Sequence, residues 1–273
     1  MRIGVRVASI TALMAFWSTA VLGQQPAQEI LRTADGTPRL DGIWQALTEA
    51  NWDIRPHSTG HPILPELGTF TAVHPGLGIV EGNELPYQDW AIAQQQENFS
   101  NRLERDPEAN CFMPGVPRAT YMPHPFQILQ TPDLVMIAYQ YANAVRTVHM
   151  NDPGPAPNYS WMGWSVGRWE GDTLVVDVTD QIDQTWFDRA GNFHSDALHV
   201  VERYTPLGPN HIHYEATIDD PNVFTRPWTI SLPLYRRIEE NIELMEFKCV
   251  ELVEEKIYGH LRKQTDENEA EEE

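Results

Sequence analysis

One segment, Thr185 to Tyr204, gathers two Asp, two His, a Glu and two Arg among aromatic and apolar residues. An imidazole held by a carboxylate is a usable general acid or base near neutral pH. His194, oriented by Asp196 or Asp188, with Glu202 as a second acid or base, therefore forms a candidate proton-transfer set. Arg203 falls on the opposite strand face by alternation. The same residues also fit a plainer arrangement, in which polar loop side chains satisfy nearby backbone and Glu202 and Arg203 are surface charges.

Two further segments could wall a site. In Arg118 to Phe126, prolines stiffen a loop that presents Tyr121 and His124; in Asp219 to Trp228, a turn feeds a strand that begins near Arg226 and Trp228. With Trp186 these make a substrate-binding set, Tyr121 and Arg226 serving as donors to developing negative charge. Rim packing and an Asx turn are the structural alternatives. His211, His213 and Glu215 share one face at strand period and could hold Zn²⁺. The other face, Ile212, Tyr214, Ala216 and Ile218, is apolar, so the polar side is expected to meet solvent. The chain has no Gly-rich phosphate loop, no paired dinucleotide glycines, no Gly-x-Ser-x-Gly elbow and no Cys-x-x-Cys-His haem attachment. No cofactor is expected.

The elements that must position these groups are mostly strands. Phe126–Gln130, Leu134–Tyr141, Val145–Met150, Trp161–Trp169, Thr173–Val178, Leu198–Thr205, Ile212–Ile218, Thr225–Leu234 and Glu243–Val250 are short runs of strand-forming residues separated by turn residues. Such a near-sequential meander closes most simply into an antiparallel up-and-down barrel, with a two-sheet sandwich as the alternative. Pro86 to Phe99 predicts a helix whose face is Tyr87, Trp90, Ala91 and Gln94. Asn51 to Glu84 reads as loop wrapped over the core, Asp106 to Pro125 as extended chain, and Leu252–Leu261 as a short covering helix. The nine Trp, nine Tyr and nine Phe could line a cavity for a planar ligand or simply fill the core.

Residues 1–23 read as a secretory signal peptide, with Arg2 and Arg6 before an apolar stretch from Val7 to Val21 and a small-residue cleavage site. Residues 24–40 read as a polar linker, 41–263 as one β-rich domain and 264–273 as a disordered acidic tail. The expected location is periplasmic or secreted, with no membrane span. Cys111 and Cys249 then predict a disulfide. The formal charge of −20 excludes a nucleic-acid partner, whose phosphates demand a basic face.

Leu40-Asp-Gly-Ile-Trp44, Pro114-Gly-Val-Pro-Arg118, Gly167-Arg-Trp-Glu-Gly-Asp-Thr-Leu-Val-Val-Asp177 and His194-Ser-Asp-Ala-Leu198 together resemble a widespread family of exported bacterial proteins of no assigned activity. The resemblance runs over most of the mature chain and implies a periplasmic origin. One departure is that the family has Asp and Ser where this chain has Arg39 and Asp41. The β-rich half is also similar in pattern to calycin barrels such as lipocalins, a likeness of fold that does not license a function.

These observations support an exported β-barrel acting on a small apolar or aromatic molecule by acid–base chemistry, as a lyase, isomerase or hydrolase. The alternatives are a lipocalin-like carrier of a hydrophobic ligand and an envelope interaction module.

Overall fold

A computed structural model describes residues 29–60, 69 and 72–252. The expected leader, the acidic tail and all but the first residue of the expected final helix lie outside the described residues. Nine strands close a barrel in chain order: β1 (Gly42–Ala46), β2 (Phe126–Gln130), β3 (Leu134–Tyr139), β4 (Val145–His149), β5 (Trp164–Glu170), β6 (Thr173–Thr179), β7 (His199–Pro206), β8 (His211–Asp219) and β9 (Trp228–Arg236). The expected barrel holds over the sandwich alternative.

Alternation sets the lumen. Along β7 and β8 every second side chain is buried, and Val200, Glu202, Tyr204, Ile212, Tyr214, Ala216 and Ile218 point inward. From β9 come Trp228, Ile230, Leu232 and Leu234, and Leu174, Val176 and Val178 from β6.

The strand count agrees with the expectation, but its membership differs. Glu243–Val250 forms no strand, and Gly42–Ala46 takes the ninth place by pairing with both β2 and β9. With β1 bonded to β9, the barrel has no free edge left for a further strand to join. Pairing is also not antiparallel throughout, because β4 and β5 run parallel over Val148↔Ser165 and His149↔Val166 alone. An odd ring of strands cannot close with every neighbour antiparallel, so one seam must be parallel. Residues 150–163 make the crossover it requires.

Among the described residues three α-helices accompany the barrel: α1 (Asp89–Ser100), α2 (Arg102–Arg105) and the fully buried α3 (Arg118–Tyr121). The buried members of α1 are Ala91 and Asn98, whereas Trp90 is more than half exposed, so the docking face is turned from the expected one. The stretch from Asp106 to Pro125, expected to be extended, instead contains the buried turn α3, whose Arg118 is anchored by Asp106, Glu108 and Asn51. Within the expected linker, Arg32 donates two hydrogen bonds to Asp172, and Leu40 belongs to the core. Cys111 and Cys249 form the expected disulfide. No helix among the described residues is long and apolar enough to cross a membrane.

Candidate functional site

The only carboxylate of the expected set that faces the lumen is Glu202, on β7. It is fully buried and accepts hydrogen bonds from three side chains: Arg146 Nη1 at 2.6 Å, Tyr204 OH at 2.9 Å and Tyr214 OH at 2.8 Å. Arg146 projects from β4, so the ion pair spans the barrel interior; its Nη2 also donates to Tyr204 OH at 3.2 Å. Tyr139 from β3 and Thr120 from α3 face the same group, Thr120 lying near both Tyr139 and Tyr204.

Several buried polar atoms of the barrel lack a close partner. Among the described residues, Arg146 Nε, Tyr139 OH, Thr120 Oγ1, Ser165 Oγ and Trp228 Nε1 are buried without a hydrogen-bond partner. Each such group forfeits the hydration it had in water, at about 1–3 kcal/mol.

The electrostatics fix the resting protonation of the phenols and the guanidinium. Burial, then the Glu202 charge, raises Tyr204 and Tyr214 well above the ordinary phenol range, and burial is also the main cause of the upward shift of Tyr139. Burial works against the Arg146 charge, but Glu202 and the neighbouring phenols outweigh it and hold the proton firmly. A guanidinium and three neutral phenols thus surround the carboxyl group of Glu202.

His194 is placed differently from the expected shuttle. It is buried, its Nδ1 donates to Ser195 O at 2.8 Å, and its Nε2 accepts from Thr185 Oγ1 at 2.6 Å and Gln181 Nε2 at 3.2 Å. Both ring nitrogens are engaged, and burial lowers the imidazole's proton affinity. Asp196 is exposed in the turn before β7, and among the described residues it makes no bond to His194. The buried Asp220 organises this loop instead, accepting from Ser195 N at 2.6 Å and Ser195 Oγ at 2.9 Å.

Asp188 also does not orient His194. It accepts from Ile54 N at 2.8 Å, Asn192 N at 3.2 Å and Asn192 Nδ2 at 2.6 Å. Burial, then the nearby Asp53 charge, pushes its carboxyl up to about 7.

The expected binding residues separate into three groups. Trp186 and Trp228 are buried, and Trp228 meets Phe187 and Phe224 edge-on at 5.4 and 5.3 Å. Tyr121 is buried and donates to Phe187 O at 2.8 Å, so its hydroxyl is already used. Arg226 lies exposed outside the barrel, and half-buried His124 sits under Tyr141 and Phe247, away from Glu202. His211 and His213 are on the outer face of β8; His213 Nε2 lies 3.7 Å from Glu215. Among the described residues no three His, Cys, Asp or Glu side chains converge as metal ligands.

Alternation alone makes Glu202 an inward residue, but the sequence gives no sign of its partners. Arg146 stands in a run that reads as an ordinary strand, and only topology brings β4 opposite β7. A second ion cluster, also missed, holds α3 in place. Buried Arg118 binds both oxygens of Asp106 at 2.9 and 3.3 Å, Glu108 at 2.9 Å and Asn51 at 2.9 Å. This anchor fixes the helix that carries Thr120 into the lumen. In comparison with known proteins, no protein-family model and no curated protein matches the chain.

Proposed function

We propose that this is an exported barrel enzyme that moves a proton on a small, largely apolar or aromatic molecule held in the lumen. Glu202 is the general base, and Tyr204 and Tyr214 hold and relay its proton. Arg146 and Tyr139 bind the oxygen on which negative charge develops. Isomerisation and elimination both fit, since each needs a proton removed at carbon while an oxyanion is stabilised. His194, Asp188 and Asp220 frame the loop beside the barrel in this reading. Export is supported by the disulfide and by the character of residues 1–23.

The observation that carries the proposal is the buried Arg146–Glu202 pair with the phenols of Tyr204, Tyr214 and Tyr139 around it. A buried ion pair is weak evidence for stability, because apolar replacements of similar volume are often no worse. The test is deuterium incorporation at carbon, followed by NMR, for a panel of small aromatic and alicyclic carbonyl compounds in D₂O. Wild type should exchange, and Glu202→Gln should lose roughly 10²–10⁴ of the rate. Tyr139→Phe should keep the fold, since it changes a single hydroxyl, yet exchange more slowly. A wild type that binds such compounds, with no exchange and equal affinity in Glu202→Gln, would show a carrier instead.

A further inference from the structure

A cavity of 250 Å³ lies outside the barrel and takes none of its lining from the nine strands. One wall is the returning chain after β9, from Phe247 to Val250 with Leu252; the other carries Trp52, Asp106, Glu108, His124 and Tyr141. The two are joined by the Cys111–Cys249 bond and by Leu252 N, which donates to Ala109 O at 2.8 Å. Phe247 also meets the rings of Tyr141 and His124 at 4.8 and 5.2 Å. The cavity opens to solvent, because Lys248, Cys249 and Val250 at its mouth are exposed while Asp106 and Tyr141 at its base are buried.

The lining is aromatic and electropositive. Trp52, His124, Tyr141 and Phe247 supply ring surface, and Arg189 lies over Trp52 at 4.5 Å. Arg102, Arg189 and Lys248 stand against Asp106 and Glu108, and the buried Arg118 already binds both acids. That balance runs against a chain of formal charge −20. Lys248 makes no ion pair among the described residues, and half-buried His124 makes ring contacts there but no hydrogen bond. Burial lowers the proton affinity of His124, so at neutral pH one ring nitrogen is a donor and the other an acceptor. Flat rings beside an ammonium and an imidazole suit a planar molecule with an anionic oxygen group. The volume lies just below the roughly 300–1,000 Å³ of drug-sized ligand sites, which fits a molecule of one ring.

We infer that this cavity is a binding site for a one-ring aromatic carboxylate, and that the disulfide holds its outer wall in place. The carboxylate meets Lys248 at the mouth, and the ring lies among Trp52, His124 and Phe247. The site is separate from the lumen and does not depend on the chemistry proposed there.

The test uses the full mature chain with its disulfide intact, benzoate as the probe, and benzamide and benzylamine as neutral and cationic controls. Binding is read by saturation-transfer NMR and calorimetry. Benzoate should bind, with benzamide about tenfold weaker and benzylamine weaker still. Lys248→Glu changes an exposed residue, should keep the fold and should weaken benzoate about tenfold, whereas Lys248→Arg should not weaken it. Phe247→Ala should weaken it about fivefold. In Cys111→Ser with Cys249→Ser, binding should be lost while the barrel strands keep their protection from hydrogen exchange. No benzoate binding at millimolar concentration, benzamide binding as tightly as benzoate, or benzoate binding that ignores Lys248→Glu or Phe247→Ala would overturn the site. Loss of binding in a folded Glu202→Gln would put the acid in the lumen and end the site likewise. Full binding by the double serine variant would overturn the role of the disulfide.

Discussion

A buried carboxylate must be neutralised, hydrogen-bonded or protonated, and two of the buried acids, Glu202 and Asp188, take different routes. Glu202 has a guanidinium and two phenols; Asp188 has backbone and amide N–H groups, with Asp53 nearby. The signs of their neighbours make stability depend on pH. Asp188 is raised to about 7 in the fold, so the stability it contributes is fully present below about pH 4 and is lost as pH rises toward 7. His194 is shifted the other way by burial, so its contribution is present above about pH 6.5 and lost on acidification below it. Denaturant unfolding at several pH values between about 4 and 7 separates them. The gap in stability between wild type and Asp188→Asn should be a few kcal/mol wider at the acidic end, and His194→Gln should remove the opposing acid loss. A gap that is constant across pH would mean that Asp188 titrates alike folded and unfolded. For the lumen pair, Arg146→Met with Glu202→Gln should fold within about 1 kcal/mol of wild type, because no charge is left buried alone. Arg146→Met by itself should cost about 3–5 kcal/mol.

At the scale of elements, local pattern carried far when neighbours in sequence were also neighbours in space. The β2–β3 and β5–β6 hairpins lie where alternation and turn residues place them, within a few residues. Gly42–Ala46 escaped because five residues far from the other strands become a strand only by filling the gap between β2 and β9. The loop from Thr185 to Leu198 was legible as special, though its polar groups hold a backbone and do not open into the lumen. That loop docks on α1: Gln95 and Asn98 donate to Ala190 and Gly191 carbonyls, and Tyr87 OH donates to Asn192 at 2.9 Å. The approach is possible because Gly191 has φ +80 and a Cβ there would lie 2.6 Å from Phe99 N. Gly191→Ala should therefore cost more than the ordinary 1 kcal/mol of a point change, since strain and a backbone clash add. The thermal unfolding midpoint should fall accordingly. Unchanged thermal stability would mean that the α1 contact is not part of the cooperative fold.

At the scale of the molecule, the disulfide links two regions that the barrel ladder does not join. Cys111 and Cys249 are 138 residues apart, and the loop they close contains β2 through β9. The chain after β9 runs back largely exposed, tied otherwise by few bonds: Asn143 Nδ2 to Phe247 O at 3.1 Å, Met245 N to Gln140 Oε1 at 3.0 Å and Leu252 N to Ala109 O at 2.8 Å. Its own docking energy is therefore small. The bond acts chiefly on the unfolded chain, where so long a closed loop removes about 4–5 kcal/mol of conformational entropy. Cutting it should have two separable effects. In Cys111→Ser with Cys249→Ser, amides of residues 239–252 should exchange with solvent at the rate of open chain, with no denaturant present. The strands of the barrel should keep their protection, while global stability falls by about 4 kcal/mol and the denaturant slope rises as the released chain exposes more surface. Hydrogen exchange by mass spectrometry with a guanidinium titration reads both. If β2 through β9 lost protection together with residues 239–252, the bond would instead be holding the native barrel shut.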